Sequence, residues 1–161
     1  MITVKEATTI VLANTKGFGT TIVPLHDAIG QILREALIAD RDFPPYDRVT
    51  MDGIAIAYQA FEQGKRSFPI QEVAAAGSPQ KQMNTSTNCL EVMTGAILPK
   101  GTNTVIRYED VVTKEGVAHI QVEDIRAQQN VHHQGSDRKK NSINVKAGKQ
   151  ISPAEIGIAA T

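Results

Sequence analysis

Three short polar loops hold the residue types able to do chemistry in this 161-residue chain. In the first, Tyr46-Asp47-Arg48-Val49-Thr50-Met51-Asp52-Gly53, a carboxylate stands beside a glycine. Asp52 is a hard oxygen donor for a cation, and Gly53 lets backbone approach a ligand closely, although Asp-Gly is also ordinary turn chemistry. In the second, Val92-Met93-Thr94-Gly95-Ala96, the Thr94 hydroxyl and the small residues after it offer a donor and exposed N–H groups to an anion. A strand that simply ends at glycine is the plainer reading. The third loop, residues 130–140, concentrates His132, His133, Asp137, Arg138, Lys139 and Lys140. Adjacent histidines suggest a metal, but consecutive side chains diverge on a strand and no Cys or His partner follows at metal spacing. Solvated loop residues are the better account, with the cations able to attract a phosphorylated ligand.

The commonest alternatives are excluded. There is no glycine-rich phosphate loop, no G-x-S-x-G elbow and no H-E-x-x-H. Cys89 is the single cysteine, so an intrachain disulfide and a Cys-rich zinc site are impossible, and nothing adjacent would activate its thiol. Seventeen basic residues balance seventeen acidic ones, so no global field recommends nucleic acid or an anionic membrane. No apolar run reaches membrane-spanning length, and the start lacks the basic flank and apolar stretch of a signal peptide. A cytoplasmic location is expected. Aromatic residues are only 4% of the chain, so the core must rest on Ile, Val, Leu and Ala.

The elements that must position these loops are read from period and punctuation. Thr3-Val4-Lys5-Glu6 and Ser152-Pro153-Ala154-Glu155 both have capping-box spacing and predict helices. The first should stop at Gly17-Phe18-Gly19. The second is followed by an apolar run, 156–160, with no terminator, which predicts that the natural chain continues. Strands are expected over 20–25 and 32–38, separated by a short helical turn at 27–29. Pro44-Pro45 stiffens 42–46 and marks a boundary. Beyond it come a short segment over 51–61, strands over 69–75, 90–94 and 104–108, and a hairpin of 111–113 with 117–122 around Lys114-Glu115-Gly116.

Taken in order, Pro45-Tyr46-Asp47 with Thr50-Met51-Asp52-Gly53, then residues 93–101, then Asn130-Val131 with Gly135-Ser136-Asp137, resemble the molybdopterin molybdenumtransferases. This is the family of bacterial MoeA and the gephyrin E domain. Lys146-Ala147-Gly148 and residues 151–157 resemble its end-of-region pattern. The resemblance implies an α+β, β-dominated fold of bifurcated and coiled sheets with an N-terminal helix. It implies a discontinuous subdomain, 1–45 plus 139–161, around a β-rich subdomain, 46–138. The implied reaction inserts molybdate into adenylylated molybdopterin with release of AMP and the aid of Mg2+. Asp52, Thr94 and Asp137 match the motif positions implicated in it, with Asp52 and Asp137 as metal ligands. Gly53, Gly95, His132, Lys139 and Lys140 are then candidates for contact with the ligand.

The same resemblance implies a homodimer whose cleft is completed by a C-terminal α/β domain, so this region alone should be inactive. Four positions depart from the family's habit. Val49 stands where Ser is frequent, Ile54 where Tyr is, His132 where Arg is and Ser136 where Glu is. The first three predict lost polar contacts or a lost fixed charge, with Lys139 and Lys140 compensating for the missing Arg and His132 rendering anion attraction pH-dependent. They also motivate the alternative of a non-enzymatic scaffold or cofactor-relay module of gephyrin type.

Overall fold

The computed structural model describes residues 2–161, which divide into two compact units. The smaller comprises residues up to 37 and from 144 onward, and the larger residues 38–143. Pro44-Pro45 lies inside the larger unit.

In the smaller unit, helix α1 (Val4–Ala13) starts at the expected capping box, with Thr3 accepting from the Glu6 N–H and Glu6 reaching back to the Thr3 N–H. It ends earlier than Gly17, because Asn14 closes it with both its backbone N–H and its side chain on the Ile10 carbonyl. None of its residues is buried. Residues 20–24 form no strand, since they find no pairing partner. A 3₁₀ turn follows at Leu25–Asp27, and the 32–38 expectation shrinks to strand β1 (Leu37–Ile38) plus an isolated bridge from Ile32 to Gln150. The chain's end lies along 30–33, with Gly30 donating to Ile151 and Leu33 to Lys149 before helix α3 begins.

The larger unit is built on a six-stranded sheet. Its strands are β3 (Gly53–Ile56), β4 (Ser67–Ala74), β5 (Cys89–Val92), β6 (Thr104–Arg107), β7 (Val111–Lys114) and β8 (Val117–Ile120). They lie in the order β6-β3-β5-β4-β8-β7, with only the β4–β5 pair parallel. Beside the sheet, strands β2 (Arg48–Val49) and β9 (Val131–His132) pair antiparallel. The expected 51–61 segment resolves into β3 and helix α2 (Tyr58–Glu62). Strand β10 (Ile143–Val145) pairs with β1, and α3 (Pro153–Ala159) carries the second capping box from Ser152 and Glu155. Strands outnumber helices throughout, so the fold is α+β and β-dominated.

Both faces of the central strands are covered. Alternation sends Ala55, Leu90, Val92 and Val105 into one apolar cluster, and Ile54, Ile56, Cys89 and Ile106 into the other. That two-sided burial is why β3 reads as an almost unbroken apolar run. Gly53 opens β3 where it crosses β6, and a Cβ there would sit 1.9 Å from the Ile106 carbonyl oxygen. Its lack of a side chain serves strand against strand.

Two glycine substitutions separate these demands. Gly53→Ala must displace backbone and should lower stability by roughly 1–3 kcal/mol or more. Gly157→Ala, in α3 with nothing within 4 Å of the new methyl, should raise it by about 0.5–1 kcal/mol. Thermal melts of the two variants check both signs.

Candidate functional site

The first two loops meet directly. Asp52 follows β2 by three residues, and its Oδ1 accepts both the Thr94 backbone N–H at 2.6 Å and the Thr94 hydroxyl at 2.8 Å. These two bonds, the backbone one first, hold the Asp52 carboxyl below its ordinary value and keep it ionised. Its second oxygen bonds to nothing among the described residues. Burial and a hydrogen bond to Glu91, with the nearby Asp52 charge adding to them, push the Tyr108 phenol up, and the Tyr108 N–H donates to the Asp52 carbonyl.

The third loop closes on itself and on β2. His132 Nε2 lies 2.8 Å from Asp137 Oδ1, and its Nδ1 lies 3.3 Å from Arg48 Nη2. His133 turns the other way, to Asp47 at 3.5 Å, so the two imidazoles diverge and do not converge on one metal. Asp47 also accepts the Gln134 N–H, while Asp42 accepts from the Gln134 side chain and the Lys140 N–H. Phe43 and Pro44 pin the same loop, their carbonyls accepting from Asp137, Arg138 and Gly135.

Strand β2 ties the loops together. Val49 donates to the Ala96 carbonyl and accepts from the Gly95 N–H, and Thr50 donates to the Asn130 carbonyl. No bond joins Asp52 to Asp137 among the described residues, and no group of three or more His, Cys, Asp or Glu side chains is gathered to hold a metal. Two carboxylates, each with one unengaged oxygen, still suit magnesium. That ion takes one or two carboxylates and fills its shell with water and phosphate oxygens.

Several expected roles change. Thr94 has one hydroxyl hydrogen and gives it to Asp52, so it positions the carboxylate and does not donate to a ligand oxyanion. The 94–96 turn offers no anion cradle, because its N–H groups bond to Asp52, Val49 and the Met93 carbonyl. Gly95 is needed for its left-handed backbone, φ 89°, and Gly53 for the approach of β6. Val49 and Ile54 are fully buried among apolar side chains, so neither departure removes a polar group from the loops. The Asp40 carboxyl is held low chiefly by its hydrogen bond with Arg41, the Lys140 charge adding to it, and the Lys139 and Lys140 side chains are exposed. His132 Nδ1 faces the Arg48 guanidinium, which can only donate, so Nδ1 accepts from it. The cation at this point is Arg48, which sequence reasoning passed over. Its sole signal is cross-strand register with His132, 84 residues away.

Known proteins match this chain along nearly its whole length. The family model described as the MoeA N-terminal region, domains I and II, matches residues 2–161. A molybdopterin molybdenumtransferase of Synechocystis is 38% identical over 157 residues, 94% of this chain and 39% of that protein. One of Haemophilus influenzae is 28% identical over 88% of this chain and 35% of its own length. The crystal structure of the molybdopterin biosynthesis moeA protein from Pyrococcus horikoshii OT3 superposes with a TM-score of 0.87 at 28% identity, covering 97% of this chain and 42% of that one. The chain thus spans about two fifths of the length of the relatives it matches.

The Asp52–Thr94 pair makes a pH prediction. A carboxyl held low in the folded state adds stability that is complete above its ordinary value of 3.8 and is lost as pH falls through the lowered one. Thr94→Val removes the side-chain bond and keeps the backbone one. The Asp52 carboxyl carbon, followed by NMR, should then titrate at higher pH than in the parent, and part of the stability advantage above pH 4 should disappear.

Proposed function

This chain belongs to the MoeA N-terminal region family, domains I and II, and from that premise we propose that it is the N-terminal portion of a molybdopterin molybdenumtransferase. The intact protein would insert molybdate into adenylylated molybdopterin and release AMP. This region would contribute Asp52, Thr94 and Asp137 to a cleft completed by a C-terminal α/β domain, and would be inactive alone.

The observation that carries the reading is the Asp52 carboxylate, kept ionised by Thr94 with one oxygen left open. Asp137 likewise has one oxygen engaged, by His132, and one open. Bare carboxylates would repel a ligand bearing phosphate and molybdate. Magnesium held by such carboxylates would neutralise that repulsion. Asp52 and Asp137 are the residues to hold it, Thr94 and His132 the partners that orient them.

A homodimer fits the unpartnered apolar residues of the smaller unit. Val4, Val11 and Leu12 of α1 are 63–84% exposed, and Phe18 and Ile22 nearly wholly so. A cytoplasmic site of action agrees with the absence, among the described residues, of any helix long and apolar enough to cross a membrane.

The test is AMP release from adenylylated molybdopterin with molybdate and magnesium, measured on the intact protein carrying this region. Thr94→Val should lower the rate roughly ten- to a hundredfold, as loss of a ligand's orienting partner does, and Asp52→Ala at least as much. Release at the parental rate in Asp52→Ala would sink the assigned role and favour a scaffold of gephyrin type.

A further inference from the structure

An anionic ligand at these loops has to be met by side chains, since the main-chain donors of the 94–96 turn are already bonded. Of the nearby cations, Lys139 and Lys140 sit exposed in the third loop, and Arg138 gives a donor to the Asp137 carbonyl. Arg48 is placed differently. It stands on β2, which is paired with β9 on one edge and bridged to Ile97 on the other, so its backbone is held from both sides. Its side chain is exposed, and no carboxylate among the described residues pairs with it. Five N–H donors are available on a guanidinium, and the one side-chain bond it makes among the described residues goes to His132 Nδ1 at 3.3 Å. That bond also fixes the imidazole: Nδ1 accepts, so Nε2 carries the hydrogen that reaches Asp137 Oδ1 at 2.8 Å.

We propose that Arg48 is the anion-recognising side chain of this site, meeting a tetrahedral oxyanion of the ligand with its free donors while its bond to His132 orients Asp137. The planar fork suits two oxygens of one phosphate or molybdate, which a lysine ammonium would meet only as a point charge. Arg48 is a binding residue toward the ligand and a positioning residue toward Asp137. The proposal rests on the reading that these loops face an anionic substrate, and it adds which residue recognises the anion.

The test reads binding and tautomer, not turnover. The chain and its R48Q and R48K variants are titrated at low salt with AMP and, separately, with molybdate. NMR follows the Arg48 Nε–H and the His132 ring nitrogens. In the parent, His132 should show the Nε2–H pattern and the Arg48 resonance should shift saturably. R48Q should weaken binding about tenfold or more, the size expected for a charge-assisted hydrogen bond, and R48K should fall between. A response to AMP alone assigns the phosphate ester, and a response to molybdate alone the metal oxyanion. R48Q binding as tightly as the parent, an Arg48 signal that ignores both probes, or an Nδ1–H tautomer in the parent would overturn the proposal. Anion binding that depends on Arg48, together with no AMP release by the intact protein, would leave this site standing and overturn the transferase reading instead.

Discussion

The convergence of the three loops depends on one buried residue with both backbone groups engaged. Val49 is fully buried, and its N–H and carbonyl are bonded at 2.9 Å to Ala96 and Gly95. Burial fixes which way the strand faces, because a slip by one residue would put Arg48 into the apolar cluster. With Val49 inward, Arg48 and Thr50 face outward on either side of it, and Asp52 comes within reach of Thr94. The serine that the family often has here would add a hydroxyl to an apolar pocket, so valine at this position strengthens the joint.

The elements legible in the sequence were those whose signal is local. Both capping boxes form as Thr3–Glu6 and Ser152–Glu155 predict, because cap and partner lie three residues apart. The β7–β8 hairpin follows from its turn and its alternation. The two-residue strands β2 and β9 escape notice because two residues have no period. Residues 20–23 are β-branched and suit a strand, yet a strand needs a partner, and none is offered.

For the site, type and order of residues were legible and their bonding was not. Asp52 and Thr94 stand 42 residues apart, and Arg48 and Asp137 are linked through His132. Donor capacity decides the outcome. The Thr94 hydroxyl and the Gly95 N–H read as free for an anion until the fold shows both already bonded within the protein. Main chain here builds the frame, and charge recognition falls to side chains standing on it.

The smaller unit is assembled from the two ends of the chain, residues up to 37 and from 144 onward. A ribosome therefore delivers every residue of the larger unit before the smaller one can be completed. Residues 30–33 must wait for the backbone of 148–151, across a loop whose closure is least costly once 38–143 has already become compact. The order of synthesis thus favours a sheet and its loops that form first, with the helical ends joining last.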